Sequence, residues 1–141
     1  MSAPTDIPAR TAERLATPVR EIMRPGVITI AEDSALVYAK RAMVRHGVHA
    51  VLVVGSDTAR PLGWVTDHGL LRWLEYDMQA IAARHAITEP PRHIDPDVSA
   101  AIALETLASM PAVTHLVVGE PGRPPQGVLA PMDLVDLVTR P

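Results

Sequence analysis

Apolar positions along the chain follow two different spacings in turn. Val51–Val54 stand side by side in VLVVG, as in a strand buried on both faces. Before that run, Leu36, Ala39 and Met43 recur at i, i+3 and i+7, one stripe of an α-helix, and Lys40, Arg41 and Arg45 fill its opposite, solvated face. Asp33 or Ser34 stands where an N-cap is expected. Upstream lies a short extended run, GVITI. Downstream, GSDTARP reads as a turn, Gly63–Thr66 as a second strand and Asp67–Tyr76 as a helix. In that helix Leu70, Leu71, Trp73 and Leu74 form an apolar band wider than one core needs. The order is β-α-β-β-α.

The same order returns 64 residues on, as from Gly63 to Gly127. RHI is the extended run. A helix capped by Asp97 or Ser99 carries Ala100, Ala103, Leu104 and Leu107. The strands are Thr114–Val118 and Gly127–Ala130, joined by GEPGRPPQ, and Met132–Thr139 closes the unit with Leu134, Val135, Leu137 and Val138. No gap is needed from Arg24 onward: VLVVG falls on HLVVG, Ile30 on Ile94, Asp33 on Asp97 and Leu70 on Leu134. Such a period describes a duplicated supersecondary unit, not a solenoid. The expected fold class is α/β, two pseudo-symmetric β-α-β-β-α repeats packed as one module. The wide terminal helices predict helix-to-helix contact about a pseudo-two-fold axis, or burial against another chain. Residues 1–17 are expected to be an N-terminal, flexible arm, 18–77 the first repeat, 78–91 a linker with a short helix in MQAIAARHA, and 92–141 the second repeat.

Composition removes several function classes. The net charge is −3 and no basic run stands out, which argues against a nucleic-acid partner. There is no cysteine, so disulfides, thiolate zinc sites and cysteine nucleophiles are excluded. No apolar run approaches the ~18 residues of a membrane span, and no secretory signal opens the chain, so a cytoplasmic location is expected. No nucleophile elbow, metalloprotease helix or phosphate-binding glycine loop is present, so no enzyme and no catalytic residue is expected. His46, His49 and His68 are candidates for a metal site, but independent polar histidines are the better reading, and no metal is assigned. Met43, Met78, Met110 and Met132 read as core, Trp64 and Trp73 as buried or interfacial anchors.

The order, spacing and duplication of TPVREIMRPGVITI, GWVTDHGLL, IDPDVSAAIALETLASM and GVLAPMDLV resemble a tandem pair of CBS domains, a Bateman module, over about residues 17–140. The resemblance implies a regulatory, non-enzymatic module that binds an adenosine-containing molecule (AMP, ADP, ATP or S-adenosylmethionine) in clefts between its repeats. It further implies a homodimer acting on an effector protein, here unknown, with no required cofactor. The family's motif runs Gly, two hydrophobics, Ser or Thr, two variable residues, Asp. Its aspartate takes the ribose hydroxyls, while its hydroxyl and the following helix N-terminus meet phosphate.

Each copy keeps half of that motif. Copy two keeps Asp133, with Ala130 at the hydroxyl position, and Val113 and Thr114 at the usual basic positions. Ile28 and Val48 would face it. That cleft is expected to hold adenosine with little help for phosphate. Copy one keeps Thr66, with His49 at the phosphate-contacting position and His68 beside it, but Gly69 replaces the aspartate. Arg92 and Ala112 would face it, and an anion without a ribose is expected there. The implied ligand residues are thus Asp133, Ile28, Val48, Thr66, His49 and His68. The other reading is a ligand-independent dimerisation or interaction scaffold with degenerate nucleotide sites.

Overall fold

Where Leu36, Ala39 and Met43 share a stripe, a helix forms and buries all three; it is α3, Leu36–His46. It stops at Gly47, whose φ of +63° is the left-handed turn that glycine adopts without penalty. The computed structural model describes residues 8–141. Its other helices are α1 (Ala9–Leu15), α2 (Val19–Ile22), α4 (Asp67–Leu70), α5 (Ala100–Ser109) and α6 (Pro131–Thr139). The strands are β1 (Arg24–Pro25), β2 (Thr29–Ala31), β3 (Ala50–Val54), β4 (Pro61–Thr66), β5 (Arg92–Ile94), β6 (Leu116–Val118) and β7 (Gly127–Leu129). The helix expected over Asp67–Tyr76 tightens after Leu70 into a 3-10 turn, Leu71–Trp73. In the linker only Ala83–Ala86 is helical, as a 3-10 turn.

Neither Asp33 nor Ser34 caps α3. Its first N–H groups are met by distant carbonyls instead, Leu36 N–H by Ile81 at 2.7 Å and Val37 N–H by Met78 at 3.1 Å. The start of α5 is served likewise, Ala100 N–H donating to Thr17 at 2.7 Å. Helix ends leave orphan donors, and tertiary backbone groups satisfy them here in place of side chains.

These bonds reveal an exchange. The segment 9–25 precedes the first repeat in sequence but packs on the second: Leu15 and Val19 join the core of Ile94, Ala103, Leu107, Leu116, Leu129 and Leu134. Residues 78–89 do the converse, Ala83 and Ala86 completing the core of Ile30, Leu36, Met43, Val51, Val53 and Val65. Matching backbone bridges, Pro18 with Ser99 and Ala82 with Ala35, pin the two straps. Of the expected arm, residues 9–15 are therefore helix α1, held on α6 by Arg14, whose guanidinium donates to the last carbonyls of that helix at Leu137 (3.2 Å) and Val138 (3.1 Å). A cation there also suits the negative end of the helix dipole. Residues 1–7 of the arm lie outside the described residues.

One sheet has the order β2-β3-β4; the other is β1-β7-β6-β5, so β1 has crossed to the second repeat. The repeats join through strands, not terminal helices as expected. Ala50, Leu52, Trp64 and Val117 form one buried cluster, with Val27, Val54 and Val128 against it.

The gapless overlay fails in the middle of each repeat. Leu52 faces the junction, yet Leu116, its partner 64 residues on, faces its own repeat's core. Registers agree: Val51 pairs with Val65, and Leu116 with Leu129. Val51 thus corresponds to Leu116, and the match of VLVVG to HLVVG is a one-residue slip that would turn each side chain to the wrong face. One extra residue precedes β6 and the hairpin loop absorbs it. His49 and Ala50 accordingly correspond to Thr114 and His115.

Candidate functional site

The crossing of the straps leaves two clefts between the repeats. The larger has a volume of about 770 Å³ and is lined by β1 and the turn after it (Arg24–Ile28), by His46–Ala50, by Trp64 and His115, and by Ala130, Met132 and Asp133 at the start of α6. That size is typical of a small-molecule site. Ile28 and Val48 stand on one side and Asp133 on the other. Asp133 Oδ2 accepts the Ala130 N–H at 2.8 Å, which fixes the carboxylate at the first turn of α6. Its Oδ1 lies 3.6 Å from Nε of Arg24, and its side chain is 12% exposed against 62% for Arg24. A carboxylate suited to a diol and a cation suited to an anion thus share one wall.

Met132, expected in the core, is 64% exposed, at the lip of this cleft. Trp64 is 2% exposed, 5.0 Å between ring centres from His115.

The smaller cleft, about 380 Å³, is lined by His49, Thr66, Asp67, His68, Thr88, Glu89, Ala112, Thr114 and His115. Its hydroxyl and one histidine are already engaged. Thr66 Oγ1 caps α4 by accepting the Gly69 N–H at 3.0 Å, and His49 Nδ1 lies 2.9 Å from Asp67 Oδ2 on the surface. The hydrogen bond to His49 holds the Asp67 carboxyl below its ordinary value. Arg92, expected to face this cleft, is not among its lining residues; Glu89 is.

Glu89 is 5% exposed, the one buried charged side chain among the described residues. Thr114 N–H and His115 N–H both donate to its Oε1, the latter at 3.0 Å, and the Thr114 hydroxyl donates to Oε2 at 2.7 Å. Burial pushes its carboxyl up, but the hydrogen bonds from His115 and Thr114 outweigh burial and hold it below the usual range.

A CBS domain family model matches residues 19–76. The first repeat thus matches the CBS domain model, and the solved structures of similar fold include CBS-domain proteins. No curated protein matches the chain by sequence. Its fold is similar to the CBS domain of a CBS domain containing membrane protein from Sphaerobacter thermophilus, at 20% identity, 92% of each chain covered and a TM-score of 0.78. It is equally similar to the CBS domain of a bacterial CNNM/CorC family Mg2+ transporter solved in complex with ATP, at 21% identity, 92% of each chain and a TM-score of 0.78. A CBS domain protein from Pyrobaculum aerophilum complexed with AMP matches at 18% identity, over 87% of this chain and 99% of that one, with a TM-score of 0.72. These likenesses extend the CBS fold over both repeats.

Of the CBS-type ligand residues expected from sequence, Asp133, Ile28, Val48 and His49 line the large cleft, and Thr66 and His68 the small one, which His49 also borders. His46 lines the large cleft while His68 does not, and among the described residues no three His, Asp or Glu side chains are grouped as metal ligands. Arg24, Trp64, His115 and Glu89 were missed. Arg24 had a signal: it lies at the end of the strap that the repeat offset maps to the linker. Glu89 had a weaker one, since Arg24-Pro25 and Glu89-Pro90 are matching dipeptides only once the gapless offset is given up. Sequence alone expects little help for phosphate in the Asp133 cleft; the structure adds Arg24 to its lining.

Proposed function

We propose that this CBS-domain protein is a regulatory module that senses an adenosine-containing molecule of the AMP, ADP, ATP or S-adenosylmethionine class, without catalysis. One observation carries the reading: the large cleft sets apolar Ile28 and Val48 opposite the anchored carboxylate of Asp133, with Arg24 beside it. In this reading the base lies on Ile28 and Val48, the ribose hydroxyls donate to Asp133, and the phosphate turns to Arg24 and the N-terminus of α6. The ATP and AMP complexes of similar modules support the ligand class. A cytoplasmic location and an effector protein as the recipient of the signal go with it.

Homodimerisation belongs to the same proposal. Leu71, Leu74, Met132 and Val135 are 58%, 66%, 64% and 51% exposed, so the turn after α4 and the outer face of α6 carry bare apolar side chains. These faces also support the second reading, an interaction scaffold. Thermal melting with adenosine, AMP, ADP, ATP and S-adenosylmethionine near millimolar separates the two. A ligand at ~100 times its dissociation constant stabilises by about 2.7 kcal/mol, a shift of several degrees here. A shift that disappears in Asp133→Ala supports the sensor; no shift with any ligand favours the scaffold.

A further inference from the structure

We infer that the small cleft carries its own anion: the Glu89 carboxylate sits on the donors a ligand anion would use, and the module therefore holds one anionic ligand per chain. The count of one rests on the function proposed above; the blocking of the small cleft does not.

The two adjacent amides Thr114 N–H and His115 N–H converge on a single oxygen of Glu89, and the Thr114 hydroxyl takes the other. Successive backbone N–H groups aimed at one point form an anion-binding nest, and ionised acceptors make the stronger hydrogen bonds. An incoming phosphate or carboxylate must displace a group that is tethered and already fully bonded.

The rest of the small cleft is unfavourable to an anion too. Asp67 stands on its wall with Glu89, so two carboxylates border it. A ribose fares no better. Gly69 offers no side-chain acceptor for a diol, and a Cβ there would lie 3.2 Å from Thr66 Oγ1 and 3.3 Å from Thr88 Cγ2, so the position is tightly packed. In the large cleft the place equivalent to Glu89 is held by Arg24: β1 pairs Arg24 with Val128, and Glu89 pairs with Trp64. Exchange of a cation for an anion at that one place makes one cleft receptive and the other self-satisfied.

The test follows backbone amide NMR signals in the full chain. In the wild type, AMP is expected to move the amides of Ala130 and Asp133 saturably. Inorganic phosphate leaves those of Thr114 and His115 in place, and AMP leaves that of Thr114 in place; His115 also borders the large cleft, so its amide is read with phosphate alone. In Glu89→Ala, acetate or inorganic phosphate is expected to move the Thr114 and His115 amides saturably and to raise the melting temperature by several degrees, with no comparable rise in the wild type. Saturable movement of both amides by phosphate, or of the Thr114 amide by AMP, in the wild type overturns the inference, as does a folded Glu89→Ala variant indifferent to both anions. If Glu89→Ala does not fold, the wild-type arm decides. Absence of any AMP response in the wild type sinks the proposed function instead, because the acetate and phosphate arms require no nucleotide.

Discussion

Arg24 and Glu89 stand at equivalent places in the two clefts and carry opposite charge. Arg24 lies 3.6 Å from Asp133, which the α6 backbone holds, while Glu89 is drawn into the β6 backbone by Thr114 and His115. Duplication supplied one scaffold twice, and two charges divided its uses.

Asp133→Ala should abolish binding of adenosine and AMP alike and also cost about 1 kcal/mol of stability, the usual value of one hydrogen bond, here that from the Ala130 N–H to the third residue of α6. Asp133→Asn keeps an oxygen for the Ala130 N–H and should recover most of the stability but little of the binding. Calorimetric titration beside thermal melting checks both; undiminished affinity in Asp133→Ala counts against the site.

Arg24→Ala should separate nucleotide from nucleoside. Loss of an exposed cation beside a phosphate should weaken AMP about tenfold, near the low end of the ~1.5–3 kcal/mol of a hydrogen bond to a charged group, and leave adenosine within twofold. The AMP affinity of the wild type should fall with added salt, and that dependence should flatten in the variant.

The Glu89 carboxyl is held below its ordinary value of 4.5 in the folded chain. A depressed carboxylate contributes stability that is present above the unfolded value and disappears as pH falls through the folded one. His115, Asp67, His68 and His49 share the surrounding cleft. Glu89→Gln should therefore be less stable than the wild type at pH 7, with the gap narrowing below about pH 4. Melting curves across pH 3–7 read this directly; a gap that stays constant across the range excludes the ionised carboxylate as its source.

Trp64 fills the junction between the repeats. Trp64→Ala should cost about 3–5 kcal/mol, the range for deleting a buried aromatic side chain. Because the junction and the large cleft share this ring, ligand affinity should fall with stability. A denaturant titration that still gives the wild-type midpoint would refute this.

Leu74→Asp together with Val135→Asp should turn a dimer into a monomer, because an apolar interface tolerates unpaired charge poorly. Light scattering coupled to gel filtration reads the mass. A wild type that is already monomeric would favour a different occupant for the Leu71–Leu74 turn and the outer face of α6.

Periodicity made the helices and most strands legible. The 36-39-43 stripe and the Ala50–Val54 run gave α3 and β3 directly, because burial enforces those spacings. What escaped was long-range. The α3 N-terminus is capped by Ile81 and Met78 carbonyls, a partnership no local pattern encodes. The β6 register slipped because alternation cannot be read from a run that is apolar throughout; only the junction distinguishes the faces of Leu52 and Leu116. In the site, the motif residues were legible, since Asp133 and Thr66 are fixed by helix starts. Arg24 and Glu89 were not, because they arrive from straps whose destination is the other repeat.

The exchanged straps also impose an order of events during synthesis. Residues 9–25 leave the ribosome well before the partners they rest on, which run from Ile94 to Leu137. The segment made early must wait, solvated, for the segment made late, whereas residues 78–89 find the first core already built. At elongation rates of ~5–20 residues per second the wait lasts about 5–25 s. During that interval the growing chain holds a nearly complete first half with an orphaned strap, and a neighbouring nascent copy can capture that strap as readily as its own second half can.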